Sequence, residues 1–220
     1  NFILYIGGKT NSKNFLPLPK NANMLIVRQT YKNRILQTHA KINIKTSNTS
    51  PIPEPLTAVK LENQLNQSLA FVSGTASTFL RWVHEFKKNH LNQLPLGDQD
   101  FFQAAGGDPK ICYLHGYFDF DDDEYMEITT EIPDCEYWNF QLENHWMESL
   151  DYRHYPIRIN ESSADLNKDK SITINVSHSP EKLKNNLITE GRKNGAMLLR
   201  WIGATSFPIP TVEIKKLNSL

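Results

Sequence analysis

Three groups of side chains in this sequence can do chemistry, and each has a plainer explanation beside it. Asp151-Tyr152-Arg153 sets an acid and a guanidinium on either side of a phenol. Such a triplet can clamp a polar ligand, the Arg giving paired hydrogen bonds, or it can form an ion pair that holds a corner. Arg200 lies in an otherwise apolar run, Ala196 to Ile202. A buried charge without a partner is costly, so Glu143, Glu148 or Asp151 is expected to face it; an anion site is the alternative. His145, His154 and His178 with Glu143 can make a mixed nitrogen and oxygen metal site, although no His-x-His pair occurs. Histidines satisfied on a polar face are the plainer account. With Gln141 and Asn144, the ligand-binding candidates are Gln141, Asn144, Asp151, Tyr152, Arg153, His178 and Arg200.

No complete catalytic set is present. There is no Gly-x-Ser-x-Gly elbow, phosphate loop, dinucleotide fingerprint or zinc spacing. The acidic run Asp119 to Glu124 and the Asp165-x-Asn167-x-Asp169 pattern resemble calcium ligands in composition but lack EF-hand spacing. Both read as hairpin turns. The expectation is therefore a non-catalytic binding or assembly module for a sugar-like or other small polar ligand, with no cofactor. The rivals are a hydrolase or lyase using His178 with Asp151 or Glu143, and a subunit of a larger assembly.

The elements that must position these residues are mainly strands. Ile111–Tyr117 reads as a strand. Tyr125–Ile132 alternates, with Met126, Ile128, Thr130 and Ile132 on one face. Trp138–Trp146 alternates too, placing Trp138, Phe140, Leu142, Asn144 and Trp146 together and Asn139, Gln141, Glu143 and His145 opposite. Ile172, Ile174 and Val176 face inward after a turn. Residues 196–202 are apolar on both faces and so read as a central strand, and 211–217 is the last strand. Upstream, 2–6, 23–28 and 35–44 read as strands, Ser50–Pro55 halts regular structure, two helices occupy 57–89 with Thr57 as cap, and 90–110 is a long loop. The sequence thus predicts a mainly β protein, an antiparallel jelly-roll-like sandwich with a two-helix insertion near 57–89. Its parts are 1–50 as strands completing a sheet begun elsewhere, 51–110 as helical insertion and loop, and 111–220 as the sandwich.

Composition narrows the classes. In 220 residues, 39% are apolar and 22% charged, which excludes a disordered polyelectrolyte. No apolar run is long enough to span a membrane as a helix. Formal net charge is zero, so no nucleic-acid partner is expected. Charge is nevertheless segregated: residues 1–53 carry eight Lys or Arg and no acid, and 111–150 carry eleven acids and no Lys or Arg. Neighbouring elements that neutralise each other, or a cleft with walls of opposite sign, would explain this. Cys112 and Cys135 allow one bridge, and two free thiols are the plainer expectation. Sequons at Asn48, Asn66, Asn160 and Asn175 lean toward a secreted or envelope location over the cytoplasm.

Several stretches together resemble the family called domain of unknown function 1214, which often accompanies family 1254. They are Ala22–Lys45, Gly107-Asp108-Pro109, Tyr137–Arg153, Val176-Ser177-His178 and Gly195–Trp201, the most specific being Tyr137–Arg153. The resemblance implies a jelly-roll-like domain corresponding to the C-terminal portion of longer members, and as partners either that missing N-terminal portion or identical subunits. It implies no established activity. The chain departs from the family's pattern in two places: Ser179-Pro180-Glu181 stands where members carry an Asp-Pro-Gly turn, and Asn186, Ile188 and Arg192 stand where members carry Trp, Asp and His. If those groups form a site in relatives, this chain has lost it.

Overall fold

The computed structural model describes residues 1–22, 24–46 and 55–217. They fall into two compact units, Asn1–Lys45 and Thr46–Leu220. Part of the expected boundary, Ser50–Glu54, lies outside the described residues, as does the sequon at Asn48.

Among the described residues of the first unit only Tyr5–Ile6 (β1) and Phe15–Leu16 (β2) are strands, and they pair in parallel. The strands expected at 23–28 and 35–44 do not form. Asn23 lies outside the described residues, and 24–28 is irregular. At 35–44 the reason is local. The Asn33 side-chain oxygen accepts from the amides of Ile35 (3.0 Å) and Leu36 (3.1 Å), so the chain turns where alternation suggested extension.

The second unit opens with α1, Ala58–Asn89, a single 32-residue helix where two were expected. Thr57 caps it, accepting from the Lys60 amide at 3.2 Å. Gly74 does not break it. Only Val83 and Phe86 of the whole helix are buried. The expected loop 90–110 contains a second helix, α2, Gln99–Ala104, capped by Asp98.

The remaining chain builds a β-sandwich. One sheet has the order β3 (Ile111–Asp119), β9 (Asn194–Ile202), β5 (Tyr137–Leu142), β6 (Arg158–Asn160), all antiparallel. The other has the order β10 (Thr211–Lys216), β4 (Glu124–Thr130), β7 (Ile172–Ser177), β8 (Asn186–Ile188). It is antiparallel except for the β7–β8 pair, which is parallel. The core is the layer between the sheets: Leu114, Phe118, Trp138, Phe140, Leu142, Met197, Leu199 and Trp201 from one, Met126, Ile128, Ile172, Ile174 and Val176 from the other. Strand β9 is central and buried on both faces, as its apolar run requires. Cys112 and Cys135 are free, and burial pushes the Cys112 thiol up to about 11.

Trp146 does not join this layer. Strand β5 stops at Leu142, and Trp146 stands 53% exposed in a turn. Asn144 makes that turn by accepting from the amides of Trp146 (2.8 Å) and Glu148 (3.0 Å), and Met147 takes φ 58°.

The free edge of β3 is sealed by the segment that follows α1. Tyr117 exchanges backbone hydrogen bonds with His90 (3.1 Å) and Asn92 (2.7 Å). The side-chain amide of Asn92 bonds both backbone groups of Asp119, and that of Gln99 bonds both of Tyr113. Two amide side chains thus stand in for a missing strand, which blunts an edge otherwise open to association. The fit is close at Gly116, where a Cβ would lie 2.0 Å from the Gln93 carbonyl oxygen.

Candidate functional site

The outward face of the β3-β9-β5-β6 sheet is the chemically unusual part of the molecule. Strand register puts its side chains in rows. Tyr113, Arg200 and Asn139 form one row, and His115, Leu198 and Gln141 the next. Tyr117 pairs with Ala196, whose carbonyl accepts from the Glu143 amide (2.8 Å), so Tyr117, Ala196 and Glu143 form the third. Over β3 lie the last turns of α1 and the short α2, through Val83, Phe86 and Phe102, which cluster with Tyr117, Trp82 and Tyr113.

His115 is 4% exposed beneath this cover. Its ring stacks on Phe86 (4.8 Å between centroids, 9°) and meets Phe102 at 4.7 Å. Burial, then the charges of Arg200 and His90, push its pKa down to about 3, so it is neutral at physiological pH. Glu143 is equally buried. Its Oε1 accepts from Gln141 Nε2 at 3.1 Å. Burial pushes its pKa up to about 7, against the opposing pull of the Arg200 charge. Among the described residues, His115 Nδ1 and Glu143 Oε2 have no hydrogen-bond partner in the protein. A third such atom, Asn175 Oδ1, lies apart on β7. Arg200 Nη1 donates to Asn139 Oδ1 at 3.1 Å, and of the acids expected to face it Glu143 is the one whose carboxyl its charge pulls down. The Tyr117 hydroxyl lies 2.9 Å from both His145 Nδ1 and Asn194 Oδ1, with Lys87 Nζ 5.4 Å from its ring centroid.

The structure brings together two of the seven expected ligand-binding residues, Gln141 and Arg200. Asn144 is a turn-former whose amide donates to Glu148 Oε2 (2.7 Å). Asp151, Tyr152 and Arg153 form an exposed corner. There Asp151 lies 2.6 Å from His154 Nδ1 and 3.5 Å from Arg153 Nε, and the His154 hydrogen bond foremost holds its carboxyl below the usual range. His178 sits past the end of β7, stacked on Phe120 at 4.2 Å. Its Nε2 donates to the Phe120 carbonyl (3.0 Å) and its Nδ1 lies 2.8 Å from the Thr189 hydroxyl, so both nitrogens have a partner. His178, Asp151 and Glu143 make no hydrogen bond to one another, and Glu143, His145, His154 and His178 do not gather as metal donors. Among the described residues the one group of three such donors is Asp121, Asp123 and Glu124. It is the turn that carries the chain from β3 in one sheet to β4 in the other, not the hairpin expected, and there Lys216 Nζ bonds Asp123 at 2.9 Å and Glu124 at 3.2 Å.

His115 was not among the expected site residues. The signal was available: it is the one imidazole in Tyr113-Leu114-His115-Gly116-Tyr117, and it shares a face with the two tyrosines.

The fold and this face define a β-sandwich with a buried polar layer under a helical cover. A crystal structure of an uncharacterised protein from Burkholderia cenocepacia is similar, with a TM-score of 0.91 and 35% sequence identity over 98% of this chain and 60% of that one. The chain therefore spans about 60% of that relative's length. The VPA0106 protein from Vibrio parahaemolyticus aligns over 76% of this chain and 48% of its own, at a TM-score of 0.41 and 14% identity. No family model and no curated protein matches the chain. No helix among the described residues is long and apolar enough to cross a membrane.

Proposed function

We propose that the chain is a non-catalytic binding module whose site is the covered face of the β3-β9-β5-β6 sheet, and that its ligand is small and polar. One observation carries this: two ionisable side chains, His115 and Glu143, are buried with an unpartnered atom each. Leaving a buried polar group unsatisfied costs about 1–3 kcal/mol, so a face bearing two is poor as architecture and suited to recognition. The resemblance to domain of unknown function 1214 supports the same place, since its most specific stretch, Tyr137–Arg153, carries Asn139, Gln141 and Glu143. The sequence holds no complete catalytic motif, which favours binding over turnover.

The test is ligand-observed NMR on the wild type and a His115→Phe, Glu143→Gln double variant, with D-glucose, acetate and tetramethylammonium as neutral, anionic and cationic probes. At least one probe binds the wild type and is lost from the variant. Binding of none, or equal binding to both proteins, contradicts the reading.

A second reading, a subunit of a larger assembly, is favoured by α1. Between Glu62 and Arg81 it has no charged residue, while Leu65, Leu69, Phe71 and Val72 are exposed. Self-association through this stretch gives a dimer or higher species by sedimentation. A monomer at all concentrations contradicts it.

A further inference from the structure

We propose that the ligand of the covered face is a neutral polyhydroxylated molecule, a polyol or sugar ring, held by its hydroxyls between Glu143 and His115 above Ala196 and Leu198. This rests on the binding-site reading and narrows it by chemistry. The register argues for size. His115 and Glu143 stand on either side of β9 and two residues apart in level, which puts their Cα atoms about 12 Å apart. A molecule with several hydroxyls reaches both, and Ala196 leaves the floor between them low.

Charge argues for neutrality. A cation entering here meets the Arg200 guanidinium from β9, and an anion meets the Glu143 carboxylate. A hydroxyl donates to Glu143 Oε2, and can donate to or accept from His115 Nδ1, without bringing charge under the helices.

Entry requires the last turns of α1 and α2 to part from β3, which uncovers Val83, Phe86 and Phe102 and breaks the Gln99 bonds to Tyr113; a ligand that satisfies both unpartnered atoms offsets part of that cost.

A hydroxyl that donates to Glu143 favours its ionised form, so binding releases a proton below about pH 7. The other ionisable groups turned to this face are Arg200 on β9, Tyr113, His115 and Tyr117 on β3, His145 after β5, Lys87 and His90 on α1, and Arg158, opposite Gln141 on β6. His115 is neutral down to about pH 3, so of the two groups with an unpartnered atom Glu143 is the one that carries the slope.

Saturation-transfer NMR on the full chain at pH 5.5 and pH 8 tests this with D-glucose, sodium acetate and tetramethylammonium chloride. The variants are His115→Phe and Glu143→Ala, each checked for the wild-type circular dichroism spectrum, with Trp146→Ala as an exposed control. The proposal expects D-glucose to bind, several-fold more tightly at pH 8, at least tenfold more weakly in the two site variants, and unchanged in the control. Acetate or tetramethylammonium binding instead, lost in the same variants, overturns the polyol and keeps the site. Binding of none overturns both. D-glucose binding that survives in both variants places it elsewhere and overturns the proposal.

Discussion

His178 and His115 occupy the same sandwich and tell opposite stories. His178, the histidine the sequence marks for chemistry, has one nitrogen on a carbonyl, the other on a hydroxyl, and its ring on Phe120. His115 is more deeply buried, stacked as well, and still leaves Nδ1 without a partner in the protein. A polar group whose every valence is used holds structure. One buried with a valence unused, beside a carboxylate in the same condition, costs stability and needs another reason to persist. The difference between the two regions is therefore one of satisfaction, not of residue type.

Substitutions can break that contrast. The largest effect is expected at Gly116→Ala, whose methyl meets the Gln93 carbonyl at 2.0 Å. It should cost about 3 kcal/mol in denaturant unfolding and raise amide exchange across 83–102, leaving the His178 end protected. Next is His178→Ala, which removes the stack, two hydrogen bonds and the partner of the Phe120 carbonyl, a loss of about 2 kcal/mol. His115→Phe keeps the stack on Phe86 and deletes the unpartnered nitrogen, so it should stabilise by about 1–3 kcal/mol. The two histidines then respond with opposite signs. Trp146→Ala, on an exposed turn residue, should change stability by less than about 0.5 kcal/mol.

The pH dependence sharpens the picture. His115 is neutral in the fold down to about pH 3, whereas unfolded it takes a proton near 6.5, so it makes stability rise with pH from 3 to 6.5. Glu143 titrates near 7 folded and near 4.5 unfolded, so it makes stability fall with pH from 4.5 to 7. These two groups together give a plateau between about pH 4.5 and 6.5. His115→Phe should erase the acid limb and Glu143→Gln the alkaline one.

The sandwich was legible because β4, β5, β7 and β9 each carry a pattern that only one packing satisfies: alternation for the strands with one face in the inter-sheet core, an unbroken apolar run for the central one. Trp146 was misplaced because alternation runs on past Leu142 in the letters while Asn144 turns the chain in space. The first unit was misread for a related reason: Ile35–Ile44 has strand composition, but Asn33 closes a turn first. Gly74 suggested a break in the helix, yet one glycine on an exposed stretch costs only about 1 kcal/mol and α1 continues. At the site, Gln141 and Arg200 were legible from polarity inside strands. His115 was hidden because its importance lies in what it fails to bond, which depends on a helical cover some 25 residues upstream that periodicity does not position.

The most direct test is urea unfolding of the wild type and Glu143→Gln at pH 5 and pH 8. If the covered face holds a buried carboxyl for a ligand and not for the fold, the variant gains little at pH 5 and of order 3 kcal/mol at pH 8. A wild type as stable as the variant at pH 8, or more stable, would show that Glu143 is satisfied where it stands and would contradict the account.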